Sequence, residues 1–284
     1  MSKDTDIQWC DSSVNPTMGC DGCELWQEKA GVKKCYAGVL HDRYGGVNKG
    51  FSPKFSILTE YPGRMAAAAK WSDLRGTKRP DKPWMDGLPR HIFVSDMSDA
   101  LSAAVGFDYL KREIIDVAMS PAGARHVWMW LTKRPSRLVE FADWLGFWPS
   151  NLMAGTSITS SDTVRRVTML LRMIQFKARL FVSAEPLWGP VHIPMDGLSL
   201  VICGGESGSG ADACRVEWIR RIIADCEAAS VRCFVKQLGA NPYEDFNITG
   251  TPQSRRLQFK DSHGGDWSEW EPSLRVREMP EVRP

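Results

Sequence analysis

The sequence predicts an α/β protein built on a wound, mainly parallel sheet, either open or curled into a barrel. Three observations carry this. Short apolar runs recur along the chain, and each ends abruptly in polar or charged residues. Amphipathic stretches of helical period lie between them, the order expected of repeated strand–loop–helix units. No apolar run approaches the roughly 20 residues needed to span a bilayer, and no segment repeats at a solenoid period.

Taken in order, "DIQWCDSSVNP" (6–16) is the first strand-like segment, and a cysteine-rich loop follows it. Residues 38–90 are rich in Gly, Pro, Lys and Arg, with one helix-like piece at 62–74, and read as an excursion rather than a domain. Strands are then predicted within "HIFVSDMSD" (91–99), "HVWMWLTKRP" (126–135), "NLMAGTSITS" (151–160), "RLFVSAEP" (179–186), "LSLVICGGESGSG" (198–210) and "VRCFVKQLG" (231–239). Continuous β-branched and aromatic runs of this kind suit strands buried on both faces. Helices are predicted over 106–120, 161–175 and 214–229, the second opening on a Ser-Ser-Asp capping signal. Residues 1–239 therefore form the sheet-based body. Residues 240–284, polar and broken by Pro and Gly, form a tail packed onto it, patterned only at 264–278.

With 36 basic and 34 acidic residues the net charge is +2, which excludes a global basic field and leaves room only for local patches. The start "MSKDTDIQWCDSS" has no apolar h-region, so the expectation is a cytoplasmic protein without membrane contact. In that compartment the eight cysteines are thiols or metal ligands rather than disulfides.

Functional groups of a parallel sheet belong at the carboxyl ends of its strands. There the chain places Asp96, Ser98, Asp99, Thr132, Lys133, Arg134, Glu185, Glu206, Ser207, Lys236 and Gln237. "NPTMGCDGCELWQEKAGVKKCYAG" (15–38) adds Cys20, Cys23 and Cys35 beside the first strand. Three chemistries suit them. Structural zinc needs a fourth ligand, for which Cys10 or His41 is available. A redox pair needs only C-x₂-C opening a helix. A [4Fe–4S] cluster held by three thiolates leaves one iron open to chelation by a cofactor. Cys203, Cys214, Cys226 and Cys233 lie in apolar strands or on a helix and read as small hydrophobes. The five histidines form no H-x₃-H or HExxH pattern, so zincin-type hydrolysis is not indicated.

Two further stretches carry polar chemistry. "CGGESGSGA" (203–211) is no dinucleotide fingerprint and no Walker lysine follows it. It is either a tight glycine turn or a loop whose Glu206 and backbone N–H groups bind a polar cofactor bearing both an amino and an anionic group. "LTKRPSR" (131–137) supplies Lys133, Arg134 and Arg137, either as a solvated helix start or as a phosphate site. Trp9, Trp26 and Trp188 lie near these segments and offer flat stacking surfaces.

In sequence, "NPTMGC…CYA", "VSDMSD", "LTKRP", "SAEPLWGP", "GGESGSGA", "FVKQLG" and "GGDWSEWEPSLRVRE" resemble the phage-associated three-Cys-motif proteins, a radical S-adenosylmethionine-like family. The likeness runs from about Ile7 to Glu278, and the cysteine spacing differs from the C-x₃-C-x₂-C of most radical S-adenosylmethionine enzymes. It implies an incomplete (β/α)6-type barrel with an N-terminal Cys-motif loop. A [4Fe–4S] cluster on Cys20, Cys23 and Cys35 would bind S-adenosylmethionine and generate a 5′-deoxyadenosyl radical. The resemblance also implies cofactor contacts at Tyr36, Asp96, Ser98 and Asp99, and at Ser183, Glu185, Gly205, Glu206 and Ser207. Thr132, Lys133, Arg134, Lys236 and Gln237 fall on the substrate side.

Two classes of function are therefore expected to compete. One is a radical enzyme that modifies or repairs a base in DNA or a nucleotide, supplied with electrons by a flavodoxin or ferredoxin. The other is a zinc-stabilised nucleic-acid-binding or adaptor protein without catalysis.

Overall fold

Each predicted apolar run contains a strand, and the segment before the cysteines contains one more. The strands are β1 (Ser12–Val14), β2 (His91–Val94), β3 (Val127–Thr132), β4 (Leu152–Ile158), β5 (Leu180–Ala184), β6 (Leu198–Gly204) and β7 (Arg232–Gln237). They form one seven-stranded, all-parallel sheet in chain order, with β1 and β7 at its ends, the topology of an incomplete (β/α) barrel. The computed structural model describes every residue except 27, 30, 31, 49, 249, 250 and 282–284, and of 28, 29, 32 and 248 the backbone alone. No helix among the described residues is long and apolar enough to cross a membrane.

The apolar runs are continuous because both faces of the strands are covered. Ile92, Val94, Trp128, Met129 and Trp130 are fully buried in β2 and β3, as are Phe181, Val201, Ile202 and Phe234 in β5 to β7. Each such side chain contributes on the order of 1.5–3 kcal/mol. Side-chain burial along the strands, more than any one turn, thus fixes where the strand ends lie.

The helices depart from their predicted lengths in informative ways. Residues 106–120 are helical in three pieces: α3 (Phe107–Leu110), a π-helical turn (Lys111–Ile115) and α4 (Asp116–Met119). Residues 161–175 keep only α6 (Arg165–Leu170) as α-helix, between 3₁₀ turns at Ser161–Thr163 and Leu171–Phe176. The Thr163 hydroxyl accepts the Ser160 N–H at 3.1 Å, so the capping signal marks the helix start as expected. α7 (Val216–Ala229) follows its prediction closely and buries Val216, Ile219, Ile222 and Cys226. α1 (Tyr36–Tyr44) begins directly after Cys35, α2 is Arg64–Ala69, and α5 (Pro135–Leu145) takes up the chain after β3.

The chain divides into two compact units, residues 1–155 with 175–178 and 281–284, and residues 156–174 with 179–280. In the first unit the excursion at 38–90 is tied back through a two-residue ladder, Thr17–Met18 against Thr59–Glu60. In the second, residues 240–280 carry strands of their own. β8 (Pro242–Ile248) and β9 (Thr251–Arg256) form an antiparallel pair, and β8 also pairs with Cys214–Arg215. Arg215 pairs with Asp245, and Arg220 and Arg255 both reach Glu244, at 2.9 and 2.7 Å. A backbone ladder of six residue pairs joins β8 to β9, and β9 is polar and exposed throughout, so no period-2 apolar signal announces the pair. Further on, Phe234 and Arg277 form an antiparallel bridge that covers the β7 edge.

Candidate functional site

Gly19 precedes the first cysteine for a steric reason. Its φ is +86°, and a Cβ there would run into the carbonyl oxygens of Ile57 and, at 2.9 Å, Phe55. The close approach lets Cys20 N–H donate to Phe55 O at 2.7 Å, which seats the loop against the excursion. Between Cys23 and Cys35 the chain makes a 3₁₀ turn (Glu24–Trp26) and a two-residue antiparallel pair, Glu28–Lys29 with Val32–Lys33. That folded-back piece accounts for the long spacing and returns Cys35 to the N-terminus of α1.

All three cysteines are free thiols and line one cavity of about 90 Å³, together with Tyr36, Ser95, Asp96, Ser98 and Lys133. Burial raises each thiol above its ordinary pKa, and the surroundings partly offset it. Backbone N–H groups of Gly22, Leu25 and Gly38 hydrogen-bond to Cys20, Cys23 and Cys35 respectively. Lys133 favours the thiolates of Cys23 and Cys35, and Arg134 that of Cys20. Every sulfur thus has an N–H partner and a cation nearby, which offset part of the cost of burying a thiolate there.

Among the described residues no three His, Cys, Asp or Glu side chains stand at the spacing of a formed metal site. The donor set nonetheless suits a cluster held by three thiolates. The cavity wall carries three cysteines and, among the described residues, no fourth cysteine and no histidine. Cys10 is fully buried, and its carbonyl accepts the Lys82 ammonium at 2.7 Å. His41 is buried with Nε2 2.7 Å from Ser52 O. The two residues considered as a fourth zinc ligand therefore stand outside the cavity.

The loop after β2 is cross-braced. Asn15, at the end of β1, donates its amide to Asp96 and accepts the Met97 N–H at 2.9 Å. Tyr36 OH donates to Asp96 O, and Ser98 Oγ donates to Thr17 O at 2.7 Å. Burial raises the Asp96 carboxyl, with the Asn15 amide working against it. Ser95 has φ 72°, the left-handed region that a serine rarely adopts, and its buried Oγ has no hydrogen-bond partner. The sequence reading passed over Ser95, since nothing in "FVSDM" signals a left-handed turn.

Asp99 is buried and fully engaged. It accepts Thr132 Oγ1 at 2.8 and 3.0 Å, Lys133 N at 3.0 Å and Leu101 N at 3.1 Å, and it pairs with Arg134 at 2.8 Å. Arg134, expected at a phosphate, instead spans two carboxylates. Its Nη1 is on Asp99, while Nη2 donates to Asp21 and, at 3.1 Å, to Gly22 O. Burial opposes its charge, the Asp99 and Asp21 carboxylates outweigh burial, and its pKa lies above the usual value. Arg137 donates to Val105 O at 2.8 Å and lies 4.6 Å from the Phe107 ring centre. Of the three cations in "LTKRPSR", Lys133 alone lines the cavity without a carboxylate partner among the described residues. A guanidinium close to carboxylates pairs with them, so Arg134 is engaged within the protein.

The second unit carries its own cluster at the ends of β5, β6 and β7. Lys236 pairs with Glu185 at 3.1 Å, and Ser183 Oγ donates to Glu185 at 3.2 Å. Gln237 Nε2 donates to Gly205 O at 2.8 Å, and Gly205 N donates to Gln237 O at 3.1 Å. A Cβ on Gly205 would strike Leu238 O and, at 2.9 Å, Cys214 Cβ, so the glycine serves close approach. Glu206, expected to meet a cofactor, accepts Asp212 N at 2.9 Å and Trp188 Nε1 at 3.3 Å. Ser207 is exposed. Of the three flagged tryptophans, Trp9 is buried against Phe93 and Trp188 serves Glu206, while Trp26 stays partly exposed and stacks on Phe55 at 5.8 Å. Cys203, Cys214, Cys226 and Cys233 are all buried, the apolar setting expected of them.

These features define an α/β protein with a three-cysteine cavity at the carboxyl ends of its strands. The family described as "Protein of unknown function (DUF5131)" matches residues 4–268, and the chain belongs to it. No curated protein and no solved structure matches the chain.

Proposed function

We propose that the chain is a radical S-adenosylmethionine enzyme that holds a [4Fe–4S] cluster on Cys20, Cys23 and Cys35 and acts on a base in DNA or a nucleotide. One observation carries the reading: three free cysteines face one small cavity, each with an N–H donor and a cation nearby, and the described cavity wall offers no fourth cysteine or histidine. A closed zinc tetrahedron needs a fourth ligand, and the carboxylates on the wall are engaged within the protein, Asp96 by Asn15 and Asp99 by Thr132 and Arg134, whereas a three-thiolate cluster needs none. When bound, such a cluster with S-adenosylmethionine supplies one-electron radical chemistry.

The chain's own residues then have distinct tasks. Asp96, with the Ser95 hydroxyl beside it, offers polar contacts at the cavity wall. Lys133 is the cation left to meet an anionic group of cofactor or substrate. Asp99 and Arg134 shape the wall rather than bind. Glu185, Lys236, Ser183 and Gln237 form a second polar cluster suited to a substrate with both donors and acceptors. An electron donor of the flavodoxin or ferredoxin kind would complete the system.

The test is anaerobic purification followed by iron and acid-labile sulfide determination, then an assay for 5′-deoxyadenosine with and without DNA. Iron, sulfide and 5′-deoxyadenosine are expected. Cys20→Ala, Cys23→Ala and Cys35→Ala should each remove the iron, while Cys203→Ala retains it. Colourless protein with stoichiometric zinc would overturn the proposal in favour of an adaptor.

A further inference from the structure

The Cys20–Cys23 loop is fastened from the outside by a row of polar groups that runs from the end of β3 to the two residues between the cysteines. The row starts at the buried Asp99 carboxylate, which the N–H groups of Leu101 and Lys133 and the Thr132 hydroxyl hold in place. Arg134 Nη1 pairs with Asp99 at 2.8 Å, and its Nη2 pairs with Asp21 and donates to Gly22 O at 3.1 Å. The far oxygen of Asp21 accepts Ser102 Oγ at 2.7 Å, and Ser102 Oγ in turn accepts Ala104 N at 3.2 Å. Asp21 and Gly22 are the two residues between Cys20 and Cys23. The row therefore ends on the loop between the cysteines, and the planar guanidinium fork of Arg134 serves two carboxylates and a carbonyl from separate nitrogens.

We propose that Arg134 is a positioning residue: with Asp99, Asp21 and Ser102 it forms an ionic latch that holds the Cys20–Cys23 loop at the ends of β2 and β3, so that two of the three thiols are presented to the cavity before any ligand arrives. The latch gives the arginine of "LTKRP" a role within the fold. It also explains why the C-x₂-C loop carries an acid: Asp21 is the attachment point. Cys35 is outside the latch, since the N-terminus of α1 presents it. The inference concerns how the thiols are held and not what they bind, so it is tested without iron and stands or falls separately from the proposed chemistry.

The experiment is amide hydrogen exchange read by mass spectrometry on metal-free, reduced full-length protein, comparing peptides covering residues 19–26 with peptides covering α1. In Arg134→Gln the 19–26 amides are expected to exchange about tenfold faster or more, the scale of one lost charge-assisted hydrogen bond. The α1 amides should stay within about twofold, since local opening leaves distant elements unchanged. Arg134→Lys should recover part of the protection, because an ammonium can serve one carboxylate and not the whole fork. Asp21→Asn should accelerate the same amides, and combining it with Arg134→Gln should add little beyond the larger single effect. Unchanged exchange at 19–26 in Arg134→Gln would overturn the latch. So would equal acceleration in α1, which means general loosening, or strictly additive effects of the Asp21 and Arg134 changes. Should Arg134→Gln fail to fold, Ser102→Ala and Asp21→Asn carry the same comparison from the other end.

Discussion

Asp99→Ala is the sharpest perturbation of the site's framework. The Asp99 carboxylate accepts from Thr132 Oγ1, Lys133 N and Leu101 N and pairs with Arg134, and it is only 6% exposed. Alanine removes the carboxylate that all of these donors share and puts no acceptor in its place. Taking one partner from a buried charge pair costs about 3–5 kcal/mol. The Arg134 side chain is 22% exposed and keeps Asp21, so the lower end applies, about 3 kcal/mol. For a chain of this size each kcal/mol moves the melting temperature by about 2–4 °C, giving a fall of about 6–12 °C. Asp99→Asn keeps one acceptor oxygen and the shape, and should cost less, about 1–2 kcal/mol. Urea unfolding at neutral pH, with the slope checked for constancy, measures both. An Asp99→Ala midpoint equivalent to less than about 1 kcal/mol of destabilisation would refute the view that this carboxylate organises the β2 and β3 ends.

The remaining predictions concern other elements. Lys133→Ala should weaken binding of a single-stranded oligonucleotide and reduce the salt dependence by about one unit of slope. Fluorescence anisotropy across a salt series checks this, and an unchanged slope removes Lys133 from phosphate contact. Arg277 is buried, donates to Val235 O, Lys236 O and Gly265 O, and lies 4.9 Å from the Trp267 ring centre, while burial lowers its pKa to about 10. Arg277→Ala strands three carbonyls and should cost about 2–4 kcal/mol; a calorimetric melting temperature within 2 °C of wild type, on the order of 1 kcal/mol or less, would contradict it. Glu244 is held below the usual carboxylate range by its hydrogen bonds to Arg220 and Arg255. Its folded pKa is depressed, so its contribution is present above the unfolded value of 4.5 and is lost as pH falls through the folded one. The stability gap between wild type and Glu244→Gln should therefore shrink as pH drops below 4.5, and a gap independent of pH would remove the charge pairing from the account.

The strands were legible because a strand buried on both faces must be apolar along its whole length. "HVWMWLT" could hardly be anything else, and β3 spans Val127–Thr132. The convergence of three cysteines was legible too, since the C-x₂-C loop follows β1 and Cys35 opens α1. The β8–β9 pair was not, because its backbone ladder carries polar, exposed side chains along β9, which leave no periodic apolar trace. Nor could sequence show which polar groups are spent on one another. Lys133 and Arg134 are neighbours at one strand end, yet one faces the cavity and the other is consumed by Asp99 and Asp21, residues 35 and 113 positions away by the numbering. Ser95 gave no warning of its left-handed backbone, and Cys10 none of its distance from the cavity. Periodicity reports how much of each residue is covered, an average that local sequence carries. Which donor meets which acceptor depends on the register of strands far apart in the chain, and only the packed tertiary structure sets that.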